Sequence, residues 1–120
     1  MKSGADDLPL ATVQVDVDPF WFIHSLRGGD ATLLSSSEQT VYETAIPRYL
    51  DLFAEQGVRA TFFVVGRDLE EPRNRVWFAR LRAAGHELAN HSFTHRTDLR
   101  DIEESAVQEE IERTDRLCKE

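Results

Sequence analysis

Cysteine is nearly absent from this chain: Cys118 stands alone among 120 residues, so no internal disulfide can form and no multi-thiolate metal site is available. Its place on the apolar side of the last predicted helix points to packing rather than reactivity. Long apolar runs are missing too. Stretches such as Phe62–Val65 fall far short of the roughly 20 residues that a bilayer crossing needs, and nothing near Met1 has the apolar length of a signal peptide. No membrane partner is expected, and a cytoplasmic location is. Positive charge is also scarce, with 14 Lys and Arg against 22 Asp and Glu, a net charge of -8. Residues 101–120 carry most of the acidic excess. Without a basic stripe to neutralise phosphates, nucleic acid is excluded as a partner; Arg73, Arg75, Arg80 and Arg82 sit on a helical segment where solvated faces are usual.

What remains is the composition of an ordinary globular chain, 41% apolar and 30% charged. The length suits one domain, residues 1–120, and not two. Hydrophobic patterning divides it into alternating elements. Leu10–Val17 reads as a core strand ended by Asp18-Pro19, and the aromatic stretch from Phe20 through the Ser35–Ser37 cluster reads as a long loop. Apolar residues then recur at helical spacing from Glu38 to Gln56, with Pro47 inside and Gly57 as C-cap. Val58–Val65 is a second strand, followed by a turn at Gly66-Arg67-Asp68. Asn74–Ala84 is a helix with Val76, Trp77, Leu81 and Ala84 facing inward. Glu87–Asn90 is a third strand. A last helix begins near Asp101, capped with Glu104; Ile102, Ala106, Val107, Ile111, Thr114 and Cys118 form its apolar stripe, while Glu110 and its acidic neighbours face water. Strand–helix alternation of this kind predicts an α/β fold with parallel strands.

The chemistry concentrates in Gly85–His95, which holds three of the four histidines. His91 and His95 stand four apart, a spacing that on a helical turn puts both imidazoles on one face, and imidazole is a common ligand for divalent transition metals. With one cysteine in the chain, a further ligand is expected to be a carboxylate. Asp16 and Asp18, closing the first strand, are the candidates, because α/β folds place their sites at strand ends. A bend at Pro19 is expected to bring the two aspartates to one centre.

Asp16 and Asp18, then Arg59–Gly66, then Ala84–Leu88, then His91-Ser92-Phe93-Thr94-His95, taken in order, resemble the polysaccharide deacetylases, the carbohydrate esterases with the NodB homology domain. The resemblance runs from about Leu10 to Leu117 and covers the leading half of that domain. It implies a partial (β/α) barrel of NodB type with about three β/α units, expected to be incomplete at the C-terminus. It implies that Asp16 is the catalytic base and that Asp18, His91 and His95 hold a divalent metal, zinc first, with cobalt or nickel as substitutes. The reaction implied is removal of acetyl groups from an N-acetylated sugar or polysaccharide. The family's later motifs, an Arg that orients the base and a distal His that protonates the leaving group, have no match in this chain.

Two features keep alternatives open. The pair here is Asp-Val-Asp where the family commonly has Asp-Asp, which is similar to a branch that includes allantoinase-like cyclic-amide hydrolases. The partner is thus a carbohydrate or a small amide. An apolar strand ending in Asp-x-Asp also resembles haloacid-dehalogenase-type phosphatases, which use magnesium and would leave His91 and His95 idle. A non-catalytic scaffold is the third alternative, and exposed strand edges would favour homo-oligomer formation.

Overall fold

The computed structural model describes residues 8–28 and 39–120. The predicted Ser35–Ser37 cluster and Gly29-Asp30 lie outside them. Three short strands, β1 (Gln14–Val17), β2 (Thr61–Val64) and β3 (Glu87–Asn90), form one sheet in the order β1-β2-β3, both pairings parallel. The α/β class with parallel strands is as the alternation predicts. The register pairs Val17 with Val64 and Val64 with Asn90, so the C-terminal ends of all three strands lie side by side. Whatever follows each strand therefore meets at one edge of the sheet, the general location of sites in parallel α/β folds.

Strand alternation sorts the side chains. Val17, Phe62 and Val64 point into the core, where they pack with Ile46, Leu50 and Phe53 of α2 (Ile46–Gln56) and Phe78 and Leu81 of α4 (Arg75–Ala83). On the other face Gln14, Asp16 and Glu87 remain exposed, and Thr61 donates across it to Glu87 at 2.7 Å. Burying Phe62 or Val64, both fully inaccessible, is worth about 1.5–3 kcal/mol each by area. The helix-facing side of the sheet is thus what holds the fold together.

Several elements differ from the sequence reading, each for a local reason. The stretch after Pro19 is not all loop: Phe20–Leu26 forms α1, because the Pro19 carbonyl accepts from the amides of Phe22 and Ile23 at 3.0 and 3.3 Å and opens the first turn. Pro47 marks the true first turn of α2, preceded by a π-helical turn over Val41–Ala45 whose wider ring accommodates the approach to a residue with no N–H. Gly57 caps α2 in the left-handed region at φ 63°, as expected. Gly66–Glu70 is a short helix, α3, rather than a simple turn. In α4 it is Phe78 that is buried, while Val76 is 55% exposed. The last helix, α5, spans Glu104–Lys119 with Glu103 at its N-cap and no side-chain cap, so the Asp101–Glu104 capping box does not form. Among the described residues no helix is long and apolar enough to cross a membrane.

Candidate metal centre

The register brings Asp18, one residue past β1, beside His91, one residue past β3, whose amide donates to the Val64 carbonyl of the central strand at 3.0 Å. His95 arrives from the loop beyond. Asp18 Oδ1 lies 3.0 Å from His95 Nε2 and 3.4 Å from His91 Nε2, although 77 residues separate Asp18 from His95. One donor atom from each of the three falls within 4.8 Å of the others.

That spacing fits a cation. Ligand atoms about 2.0–2.2 Å from a tetrahedral zinc stand about 3.3–3.6 Å from one another, inside the observed range. The donor set, two imidazole nitrogens and one carboxylate oxygen, is one that zinc, cobalt and nickel accept, whereas magnesium prefers oxygen alone. Three protein ligands leave a coordination position for water or substrate. His95 Nδ1 is buried and has no hydrogen-bond partner among the described residues. With Nε2 turned to a cation, that nitrogen carries the proton, and it is the atom through which a metal-binding histidine is ordinarily oriented by an outer acceptor.

The two histidines do not lie on a helical turn. β3 ends at Asn90, and the chain then passes through a bent loop in which Ser92 and His95 take positive φ, 62° and 55°. Convergence comes from this loop, not from helical periodicity. The rings meet edge to face with centroids 4.7 Å apart. Phe22 of α1 covers His95 at 3.8 Å between centroids, so the aromatic stretch after Pro19 reaches the centre with one ring. Trp21 does not: its indole N–H donates to Asp68 at 3.1 Å. Asp68 also accepts from Tyr42 at 2.6 Å, and burial raises its pKa against the lowering effect of those two donors. A cavity of about 270 Å³ is lined by Pro19, the residue after Asp18, with Trp21, Tyr42, Asp68 and Asn74, and none of the three triad residues lines it.

Asp16 is outside the ligand cluster and exposed. No bend at Pro19 is required for it, since residues two apart in an extended strand share a face. Asp16 and Asp18 are two apart. His86 lies at the opposite end of β3, buried, with Nδ1 accepting from the Ala60 amide at 3.1 Å. His24 stacks on Phe20 within α1 at 6.4 Å. Neither belongs to the ligand cluster. Phe22 belongs to the aromatic stretch beside the first aspartates; the residue that sequence reasoning missed is Glu110. Glu110 reads as a solvated helix position, yet its carboxylate accepts from the Phe93 and Thr94 amides at 2.9 and 2.8 Å and from the Thr94 hydroxyl at 2.6 Å.

Comparison with known proteins is consistent in direction. The family model described as polysaccharide deacetylase matches residues 36–120, a span that includes both histidines and leaves Asp16 and Asp18 outside. A chitooligosaccharide deacetylase of Rhizobium leguminosarum bv. phaseoli is 45% identical over 74 residues, covering 61% of this chain and 31% of the relative. One from Sinorhizobium fredii is 40% identical over 67 residues, 52% of this chain and 30% of the relative. The chain thus matches about three tenths of the length of these relatives. Among solved structures, the Bc1960 peptidoglycan N-acetylglucosamine deacetylase superposes with a TM-score of 0.63 at 21% identity, over 90% of this chain and 39% of its own, a likeness of fold. The chitin deacetylase of Colletotrichum lindemuthianum gives 0.58 at 26% identity, over 88% and 39%.

Proposed function

Because this chain belongs to the polysaccharide deacetylase family, we propose that its protein is a metal-dependent hydrolase that removes acetyl groups from an N-acetylated sugar or polysaccharide. Residues 1–120 are read as one domain, the leading part of a NodB-type (β/α) barrel. The observation that carries the reading is the approach of Asp18 Oδ1 to both imidazole Nε2 atoms, at 3.0 and 3.4 Å.

In this reading Asp18, His91 and His95 hold the ion, with zinc favoured by the two nitrogen donors. When bound, zinc supplies a Lewis acid that polarises the acyl carbonyl and lowers the pKa of water towards about 7. Asp16, sharing a face with Asp18 and left out of the ligand cluster, is the carboxylate available to take a proton from the attacking water. Phe22, against His95, screens one side of the imidazole from solvent and limits its rotation. Hydrolysis breaks the acyl C–N bond to give acetate and a free amine, and the amine must be protonated as it leaves; the resemblance assigns that step to a later histidine. A phosphatase of Asp-x-Asp type would have no use for two imidazoles aimed at its second aspartate, so the geometry favours the deacetylase.

The test is metal content and affinity. Protein purified without chelator should carry a stoichiometric transition metal. His91→Ala should weaken zinc binding by more than the roughly 10–100-fold typical of an outer-shell change. Near-zero occupancy in the unaltered protein at neutral pH, or an unchanged affinity in the variant, would sink the ligand assignment. Acetate release from chito-oligosaccharides by the whole protein tests the substrate class separately.

A further inference from the structure

The loop bearing both imidazoles contains two non-glycine residues in the left-handed region, Ser92 and His95. Such backbone persists only when its surroundings over-determine it. Part of that work falls to the sheet edge: the Gly66 amide donates to the Ser92 carbonyl and the Arg67 amide to the Phe93 carbonyl, each at 2.9 Å, and the Ser92 amide donates to Asn90 Oδ1 at 2.9 Å. None of these reaches Thr94, the residue immediately before His95.

Thr94 is held from α5. Glu110 Oε2 accepts from the Phe93 amide at 2.9 Å and the Thr94 amide at 2.8 Å, and Oε1 accepts from the Thr94 hydroxyl at 2.6 Å. The helix that carries Glu110 is anchored beside the contact. One turn on, the buried Thr114 hydroxyl donates to the Glu110 carbonyl at 2.9 Å, and the Arg113 guanidinium lies 3.9 Å over the Phe93 ring while pairing with Glu70 at 2.9 Å. A carboxylate meets the demand of three converging donors because both its oxygens accept. A glutamine has one accepting oxygen and would turn an N–H₂ towards donors.

We infer that Glu110 is the positioning residue of the metal centre: by accepting from both amides and the hydroxyl at Phe93-Thr94, it sets the backbone that aims the His91 and His95 imidazoles at Asp18. It is not a ligand, and its effect passes through the loop. The inference rests on the metal-site reading above.

The experiment compares the unaltered protein with Glu110→Ala and Glu110→Gln, each loaded with cobalt as a spectroscopic probe. The readouts are cobalt affinity by competition with a chromophoric chelator, the visible d–d spectrum, and amide exchange at Phe93 and Thr94 in the metal-free state. Glu110→Ala should bind cobalt roughly 10–100-fold more weakly, the usual cost of removing an outer-shell partner. Its spectrum should be altered, and exchange at both amides should be at least about tenfold faster while Phe62 and Val64 in the core stay protected. Glu110→Gln should fall between. If Glu110→Ala fails to fold, Glu110→Gln and Thr94→Val, which removes one of the three hydrogen bonds, carry the same comparison. Variants that bind cobalt with unaltered affinity and spectrum overturn the inference alone. An unaltered protein that takes up no cobalt overturns the metal-site reading and this inference with it, and is told apart by its independence of residue 110.

Discussion

At the residue scale, the four histidines divide by environment rather than by sequence position. His91 and His95 share a carboxylate, whereas His86 sits in the core, 6% exposed, between Phe53 and Phe62 at ring distances of 5.6 and 5.3 Å. Burial first, and the nearby Arg59 guanidinium second, lower its pKa from the ordinary 6.5. Its Nδ1 accepts from the Ala60 amide, which fixes the proton on Nε2 and requires the neutral ring. The sign of the linkage follows. On acidification the unfolded chain, titrating near 6.5, takes up its proton first, so the stability this histidine contributes is present above that value and is lost as pH falls through the lower folded-state pKa. Denaturant midpoints measured from about pH 7.5 down to about pH 5 should therefore fall more steeply for the unaltered protein than for His86→Asn, whose amide oxygen can accept the same bond without titrating. Parallel slopes would show that His86 does not contribute.

At the scale of elements, Gly66 joins the central strand to the histidine loop and to α5 at one point. A Cβ there would stand 2.5 Å from both Phe93 Cδ2 and Thr114 Oγ1 and 3.2 Å from Phe93 Cα, so backbone would have to move. Gly66→Ala should cost about 1–3 kcal/mol in thermal or denaturant unfolding, the usual range for overpacking. Because Phe93 lies between the two histidines, it should weaken metal binding as well; an unperturbed midpoint and affinity would mean the contact relaxes freely. The same elements show what was legible in sequence. β3 coincides with the predicted Glu87–Asn90, and Gly57 caps its helix, because a short strand closely bounded by Gly85 and a helix-ending glycine are local signals. The Asp18–His91–His95 meeting was legible only through motif order, since no local pattern carries a contact across 77 residues. α1, at seven residues, is too short to display a helical period, and Pro19 reads as a stop although its carbonyl starts the turn. In α5 the predicted stripe faces inward at Ala106, Val107, Thr114 and Cys118, but Ile111 is 43% exposed while Thr114 is fully buried, because the helix packs on α3 and β3 with the Thr114 hydroxyl close to Gly66. Glu110 escaped because two of its three partners are backbone amides, which side-chain patterning does not register.

For the molecule as a whole, binding metal and turning over substrate make different demands on the chain. In the proposed reading the Asp18–His91–His95 triad draws on three in-register parallel strands, Phe22 from α1 against His95, and Glu110 from α5 on the loop. The proposed hydrolysis would need more. A sugar must be walled in opposite the triad and the leaving amine must receive a proton, while the sheet face that carries Asp16 has Gln14, Asp16 and Glu87 open to solvent. The chain also spans only 39% of each of the two solved deacetylases described above. The expected outcome is separation of the two properties. Residues 1–120 prepared alone should bind zinc, detected by metal analysis, yet release acetate from acetylated chito-oligosaccharides slowly or not at all; enzymatic rate enhancement rests chiefly on a preorganised, water-excluding site. Robust turnover by this chain would show that the open face suffices for catalysis. Failure to bind zinc would count against the Asp18–His91–His95 assignment itself.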